Sequence, residues 1–246
     1  MKGEVAMMTQ VSERSAQTAM ARMDAAGWAG SNGDVWALEW RRTDRSFADL
    51  SRHLDRAIRD AMEDGAVAVA DVGCGAGGTS LAAAGANARA QVTGIDISPA
   101  LVAVARARGA AVPNCAFVAA PVEDAIDDSG PFDLIMSRHG VMFFDDPVAT
   151  FARLRSATRP GGRLIFSCFR SAALNLWAKE LMAAVGEAPP PGDGYRPGPF
   201  AFAEEDFVRR MLADAGWRDL GALPVDFAYR AGSGEDAIAD AVTFSA

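Results

Sequence analysis

Basic side chains are scarce in this chain. Its 246 residues carry 24 lysines and arginines against 32 aspartates and glutamates, a formal net charge of −8 at pH 7. Lysine in particular is confined to Lys2 and Lys179. Because a nucleic-acid duplex is bound through clustered basic residues that neutralise its phosphates, this balance argues against a nucleic-acid partner. It favours a small organic substrate.

Cysteines and long apolar runs are also scarce. The cysteines, Cys74, Cys115 and Cys168, are scattered without metal-ligand spacing. We therefore expect small buried thiols in a reducing cytoplasm, and no metal site. No apolar run approaches the roughly 20 residues of a membrane span. Residues 1–15 carry charges and no apolar stretch, which predicts that they are not a signal peptide.

One stretch combines a buried strand with a glycine-rich turn. Residues 67–72 are an apolar run, glycine then recurs at Gly73, Gly75 and Gly77, and an alanine-rich helical segment follows. A strand, a glycine turn and a helix allow a ligand to approach the backbone beside the positive end of a helix dipole. The stretch therefore predicts a nucleotide-type cofactor site.

Two carboxylates indicate which cofactor binds there. Asp96 ends a second strand about twenty residues farther on, where the ribose hydroxyls of a nucleotide are commonly held. The glycine spacing also fits the dinucleotide pattern, through Gly73, Gly75 and Gly78. Asp71, however, lies two residues before the first glycine, and a carboxylate there repels a pyrophosphate. Asp71 thus favours the cationic methyl donor S-adenosylmethionine over NAD.

Strand and helix patterns alternate over most of the chain. They predict an α/β fold with a doubly wound, Rossmann-like, mostly parallel sheet and helices on both faces. Ser98-Pro99 and Asp146-Pro147 each combine a capping side chain with proline at the first helical position, so each predicts a helix start. The expected strands are 67–72, 91–96, 116–119, 132–137, 163–168 and 217–229. The other expected helices are 12–26, 47–63, 79–84, 174–185 and 204–215.

The same patterns divide the chain into four parts. We expect an N-terminal helical segment or lid at 1–64, the cofactor-binding core at 65–170, an insertion or cap at 171–203, and the remainder of the core at 204–246. Residues 27–34 are predicted to be a loop. The three tryptophans within 28–40 either pack this segment onto the core or cover the methyl donor and its acceptor. Both interpretations remain open at this point.

Several motifs together resemble the class I S-adenosylmethionine-dependent methyltransferases, and most closely the bacterial methyltransferase type 11 group, akin to the ubiquinone and menaquinone C-methyltransferases. They are ADVGCGAG at 70–77, GIDIS at 94–98, FDLIMSRHGVMFF at 132–144 and RPGGRL at 159–164. The resemblance implies methyl transfer from S-adenosyl-L-methionine, with S-adenosyl-L-homocysteine as product, to a small acceptor. It does not indicate which acceptor.

The resemblance also implies which residues bind the cofactor. Asp71 and the backbone of the glycine turn would hold its methionine end, and Asp96 would hold the ribose hydroxyls. Ile97 would pack on the adenine, the segment 120–124 would border the adenine edge, and Ser137 would lie beside the methionine part. The full set is Asp71, Gly73, Gly75, Gly77, Asp96, Ile97, Val122, Glu123 and Ser137.

Two features depart from the family pattern. Pro121 stands where this group often has an aspartate that recognises the adenine amino group, and proline offers neither a side-chain acceptor nor a backbone N–H. Val122 N–H and the carboxylates of Glu123 or Asp124 are the expected substitutes. The fold usually ends with a seventh strand, for which the sequence offers no candidate. An uncovered sheet edge would invite association, so a homodimer is one expectation.

His139 is the candidate catalytic residue, because it is the only histidine predicted near the site. It would act as a general base or orient the acceptor; the alternative is a packed loop histidine. Arg138 could bind an acidic group or form a structural ion pair, and Phe143 and Phe144 are predicted to be core residues. Two other functions stay open: a non-catalytic relative that binds the cofactor or a partner, and an NAD-dependent oxidoreductase.

Overall fold

The structure is a computed structural model that describes residues 24–62, 65, 67–175, 178, 195–230 and 232–234. Its centre is a sheet of five strands, all parallel to their neighbours, in the order β3-β2-β1-β4-β5. The strands are β1 (Ala68–Val72), β2 (Gln91–Asp96), β3 (Cys115–Ala119), β4 (Phe132–Arg138) and β5 (Thr158–Ser167). The predicted doubly wound sheet is confirmed.

Helices precede the sheet, connect its strands and follow β5. They are α1 (Ala25–Ala29), α2 (Ser31–Leu38), α3 (Trp40–Ser46), α4 (Ala48–Ala61), α5 (Gly78–Ala86), α6 (Pro99–Gly109), α7 (Val122–Ser129), α8 (Pro147–Ser156) and α9 (Glu205–Asp214). No helix in the described ranges is long and apolar enough to span a membrane.

Alternate residues of the central strands pack against different helices. In β1, Ala70 and Val72 belong to one buried cluster, which includes Phe151 of α8, whereas Val69 belongs to a second cluster with Ile58 of α4. Side chains of a strand point alternately to its two faces, so the two clusters lie on opposite sides of the sheet. The helices therefore cover both faces, and the central strands are buried.

The two predicted helix starts have the expected caps. Ser98 Oγ accepts a hydrogen bond from Leu101 N at 3.2 Å, and Asp146 Oδ1 accepts one from Ala149 N at 3.0 Å. In each case proline occupies the first helical position, where it has no N–H to leave unpaired. Local capping chemistry thus places α6 and α8 relative to the strands before them.

The prediction of a loop at 27–34 was wrong, because α1 and α2 occupy this range. Asp24 caps α1 by accepting from Gly27 N at 2.8 Å, which also means that the predicted helix 12–26 does not run unbroken to its end. Residues 12–23 of that helix lie outside the described residues. Packing of α2 on α6 outweighs the turn preference of the glycines.

The predicted strand at 217–229 was also wrong. No strand is assigned in this range, and Asp219 has a left-handed backbone with φ 57°. Its later part is bonded to the N-terminal helices, with Ala228 N donating to Asp49 Oδ2 at 2.7 Å and Arg230 N donating to Ser46 O at 3.3 Å. These backbone groups are therefore not available to extend the sheet. The predicted helix 174–185 falls almost entirely outside the described residues.

Candidate functional site

A cavity of about 400 Å³ opens at the carboxyl ends of the strands. Its wall includes residues that follow each of the five strands, among them Gly73 after β1, Ile97 after β2, Ala120 after β3, Gly140 after β4 and Phe169 after β5. Strand order reverses at β1, which pairs with β2 on one side and β4 on the other. Ligands of open α/β sheets bind at such a point, because the flanking connections diverge there and leave a crevice.

The turn after β1 and the turn after β4 approach each other closely at this crevice. Gly73 has φ 65°, and a Cβ built on it would lie 2.9 Å from Gly140 Cα. Glycine at both positions therefore lets the two backbones meet without a side chain between them. Gly75, with φ 54°, has open space where its Cβ would be, so backbone is exposed to the cavity at this point.

Asp96 connects the end of β2 to the glycine turn. Its Oδ2 accepts from Gly75 N and its Oδ1 accepts from Ser98 N, both at 2.8 Å. Burial raises the pKa of Asp96, while these two N–H donors counteract the rise. Each carboxylate oxygen can accept a second hydrogen bond, and Asp96 lines the cavity. The carboxylate thus fixes the turn and can also accept from a ligand's hydroxyls.

Asp71 lies behind the turn and is not among the described residues that line the cavity. Its Oδ2 accepts from Ser80 Oγ of α5 at 2.6 Å, and its Oδ1 is buried without a partner among the described residues. Burial raises the pKa of Asp71 to about 7, against the lowering effects of Ser80 and Arg138. The carboxyl group is therefore bonded to α5 behind the turn and does not line the cavity.

This buried carboxyl group makes stability depend on pH. Its pKa is about 7 in the folded chain and 3.8 in the reference state. Folding thus favours the protonated form, and stability is lost as pH rises from about 4 to about 7. Urea unfolding should show that the free energy of unfolding of Asp71→Asn, relative to that of the parent chain, rises by on the order of 4 kcal/mol between pH 4 and pH 8. Asp128→Asn, which alters an exposed carboxylate, is the control and should follow the parent chain at each pH. If the free energies of unfolding of Asp71→Asn and the parent chain changed with pH in parallel, the expectation would be contradicted.

His139 lies in the loop after β4 with an unusual backbone. Its φ is 60°, a left-handed conformation that histidine adopts more readily than most residues, and its N–H donates to Ser167 O at 3.2 Å. The ring contacts Phe47 and Phe169, with centroid distances of 5.3 and 4.1 Å. Its Nδ1 is 3.4 Å from Ser167 Oγ, whereas its buried Nε2 has no partner in the described part of the chain. Burial, together with the charge of Arg138, lowers the pKa of His139 to about 3, so the ring is neutral.

The N-terminal helices are attached to the core beside this cavity. Asp44 of α3 forms ion pairs with Arg108 of α6 at 2.7 Å and with Arg138 at 3.3 Å, and Arg138 also donates to Ser51 of α4 at 2.9 Å. The Arg108 guanidinium lies over the Trp40 ring at 4.0 Å from its centroid. Arg138 thus forms a structural ion pair, one of the two roles considered for it from the sequence.

Most of the residues predicted from the sequence meet in the cavity wall. Those that line it are Gly73, Gly75, Asp96, Ile97, Val122, Glu123 and His139. Asp71, Gly77 and Ser137 do not appear among its described lining residues; Ser137 Oγ instead accepts from Gly140 N at 3.2 Å and fixes the turn after β4. The carboxylate of Glu123 accepts from Thr150 Oγ1 at 2.7 Å.

Several aromatic residues of the wall were missed or assigned differently. Phe143 and Phe144, predicted to be core residues, are partly buried against the core and also line the cavity. Phe47, Phe169 and Tyr229 also line it, although nothing near them in the sequence indicates a site. Only tertiary packing brings these three residues together. The one sequence signal for an aromatic wall was the abundance of aromatic residues near Trp28.

Comparison with known proteins agrees with this geometry. Residues 70–166, from β1 to β5, match the methyltransferase domain family. These residues form a class I, S-adenosylmethionine-dependent methyltransferase domain. Its narrower likeness to the ubiquinone and menaquinone C-methyltransferases stays a prediction. No described group of three histidine, cysteine or acidic side chains in the domain and its surroundings is arranged to hold a metal.

Curated relatives and solved structures match the methyltransferase domain over different spans. The chain is 30% identical over 123 residues to malonyl-[acyl-carrier protein] O-methyltransferase of Halalkalibacterium halodurans, covering 49% of this chain and 45% of that protein. It is 35% identical over 96 residues to trans-aconitate 2-methyltransferase of Escherichia coli, covering 39% and 36%. It thus spans less than half the length of these relatives.

One solved structure covers more of the chain. A chain in the complex of the Haloferax volcanii Trm112 methyltransferase activator with a methyltransferase superposes with a TM-score of 0.55 at 21% identity, covering 75% of each chain. At this identity the superposition shows the fold alone. It agrees with the methyltransferase domain assigned to residues 70–166.

Proposed function

We propose that this protein transfers a methyl group from S-adenosylmethionine to a small organic acceptor in the cavity beside Asp96 and His139. One observation carries the proposal. A single cavity extends from the glycine turn that Asp96 fixes to the aromatic residues Phe47 and Phe169 around His139. A cofactor pocket alone would support binding only, whereas the extension of the same cavity beyond the turn supports a second ligand.

The chain's own residues fit the cofactor. Asp96 would accept from the ribose hydroxyls, because each of its oxygens has one backbone donor and room for another. The backbone of Gly73 and Gly75 would lie along the methionine part, and Ile97 with Val122 would form the apolar slot for the adenine. When bound, the cofactor supplies an activated methyl carbon on a sulfonium.

The remaining predicted residues would support the two turns or border the adenine. Asp71 and Gly77 shape the glycine turn from behind, since Gly77 caps α5 with φ 81° and Asp71 accepts from Ser80. Ser137 fixes the backbone of Gly140. Glu123 would border the adenine edge from its position beside Thr150, in place of the aspartate that Pro121 replaces.

On the acceptor side, the protein would exclude water and orient the reacting atom. Trp28 of α1, Trp36 of α2 and Trp40 of α3 line the cavity, which supports a lid formed by the N-terminal helices. Displacement at a sulfonium carbon needs alignment more than acid–base chemistry, so positioning would supply most of the rate. The two curated relatives are named for acceptors that are acids. Their names do not identify the acceptor of this chain. We also propose a cytoplasmic location and a homodimer formed through the edge of β5 that no other described strand pairs with.

The proposal is tested by binding first and turnover second. We expect S-adenosylhomocysteine to raise the melting temperature of the purified protein and NAD to leave it unchanged. Radiolabelled methyl donor incubated with a small-molecule extract should then yield labelled products only when the protein is present. A melting temperature raised by NAD alone would refute the proposal and favour an oxidoreductase. Tight binding without any labelled product would favour a non-catalytic relative.

A further inference from the structure

Arg108, in the last turn of α6, joins two parts of the cavity wall from outside the cavity. Its Nη1 donates to the carbonyl oxygen of Ala76 in the glycine turn at 2.6 Å, and its Nη2 forms the ion pair with Asp44 of α3 at 2.7 Å. Ala76 and Asp44 both line the cavity, whereas Arg108 is not among its described lining residues. The bonds to these two residues are therefore the route by which Arg108 can position a ligand.

The glycine turn is held by side chains from two different elements. Asp96, at the end of β2, accepts from Gly75 N at 2.8 Å, and Arg108 of α6 donates to the carbonyl oxygen of the next residue, Ala76. Gly75 and Gly77, on either side of Ala76, have φ angles of 54° and 81°. Because glycine can adopt many backbone conformations, hydrogen bonds from outside the turn are needed to keep it in one shape. Arg108 supplies such a bond to the second half of the turn, as Asp96 does to the first.

The same guanidinium holds α3 against the core. The carboxylate of Asp44 pairs with Arg108 through Oδ2 and with Arg138 through Oδ1, the latter at 3.3 Å. It also lies against the first residue of α5, since a Cβ built on Gly78 would be 3.0 Å from Asp44 Oδ1. The positive end of a helix dipole favours a carboxylate there. The Arg108 guanidinium also lies over the ring of Trp40, a residue of α3 that lines the cavity. The docking of α3 therefore depends in part on Arg108.

Arg106, two residues earlier on the same helix, makes different connections. Its Nε and Nη2 both donate to the carbonyl oxygen of Phe117 in β3, at 3.1 and 2.9 Å. The hydrogen bonds that Arg106 makes to described residues thus fix α6 on β3, and they reach neither α3 nor the glycine turn. Arg106 and Arg108 share a helix and a bonding chemistry, so Arg106 is a matched control for Arg108.

We infer that Arg108 is a positioning residue for S-adenosylmethionine, which holds the glycine turn in its cofactor-binding shape and couples that shape to the docking of α3. This inference rests on the proposed function, in which the cofactor lies along the turn. If docking of α3 tightens cofactor binding, bound cofactor stabilises the docked helix by the same factor. A planar guanidinium suits this role, because it presents separate N–H groups to Ala76 and Asp44 while its face stacks on Trp40.

Calorimetric titration with S-adenosylhomocysteine tests the role of Arg108. We expect Arg108→Gln and Arg108→Lys each to bind it at least about tenfold more weakly than the parent chain, because neither side chain replaces both bonds of the guanidinium. Arg106→Gln should bind it within about threefold of the parent chain, even where urea unfolding shows a loss of stability equal to that of Arg108→Gln. Unchanged binding by the folded Arg108 variants, or equal weakening by Arg106→Gln, would overturn the inference.

A double-mutant cycle with Asp44 tests the coupling to α3. In the parent chain, Asp44→Ala should weaken S-adenosylhomocysteine binding by about tenfold and speed its dissociation. In Arg108→Gln the same substitution should weaken binding by about threefold or less, because the link between α3 and the turn is already broken. Equal factors in the two backgrounds would show that Asp44 and Arg108 act independently, which would overturn the coupling. Failure of the parent protein to bind S-adenosylhomocysteine would instead refute the proposed function itself.

Discussion

Asp96→Ala is expected to weaken binding of S-adenosylhomocysteine by at least about two orders of magnitude, because hydrogen bonds to a charged group contribute roughly 1.5–3 kcal/mol each and two ribose hydroxyls lose their acceptor. The substitution also leaves the N–H groups of Gly75 and Ser98 without their acceptor. The glycine turn would then lose the link that holds it to the end of β2. Isothermal titration calorimetry measures the affinity, and urea unfolding separates it from stability.

Two further variants make this result interpretable. Asp96→Asn keeps one oxygen for one of the two N–H donors, so it should fold more like the parent chain and still bind the cofactor product weakly. Asp128→Asn alters an exposed carboxylate on α7 and should bind as the parent does. An affinity of Asp96→Ala within about threefold of the parent would show that this carboxylate does not hold the ribose.

Gly73→Ala should destabilise the fold by roughly 2–5 kcal/mol, the sum of forcing a side chain into a left-handed conformation and of overpacking a tight contact. The φ at this position is 65°, and the added Cβ would lie 2.9 Å from Gly140 Cα. That neighbour is backbone, which cannot rotate away as a side chain could. The turns after β1 and β4 would separate, so cofactor affinity should fall together with stability.

Gly85→Ala provides the opposite case within the same helix-and-turn unit. Gly85 lies inside α5, and a Cβ there meets nothing within 4 Å. The same substitution should therefore stabilise the protein by up to about 1 kcal/mol through helix propensity. Urea unfolding of both variants gives the comparison. A loss of less than about 1 kcal/mol for Gly73→Ala would mean that the two turns adjust freely.

Features set by short-range chemistry were predictable from the sequence. The apolar run before Gly73, the carboxylate of Asp96 at the end of β2 and the Ser98-Pro99 cap each depend on a few neighbouring residues, and each is found as expected. These patterns predict the folded structure because strand burial and helix capping depend on residues that are close together in the sequence. They were sufficient for the sheet, the cavity's position and the cofactor class.

Features that depend on distant partners were not predictable. Residues 217–229 have the composition of a strand, yet Ala228 and Arg230 bond to the helices near Ser46 and Asp49 instead of to β5. Glycine-rich residues 27–34 became helical because α2 packs on α6. In both cases a tertiary contact replaced the partner that the local pattern implied.

The sequence by itself determined a doubly wound sheet with a glycine turn and the carboxylate of Asp96 at its carboxyl edge, because these follow from local periodicity and spacing. The tertiary structure decided which side chains face the cavity. It placed Asp71 behind the turn against Ser80, and it assembled Phe47, His139 and Phe169 from three separate segments. Proximity between segments is fixed by how whole elements pack, and no pattern confined to one stretch of chain contains that information.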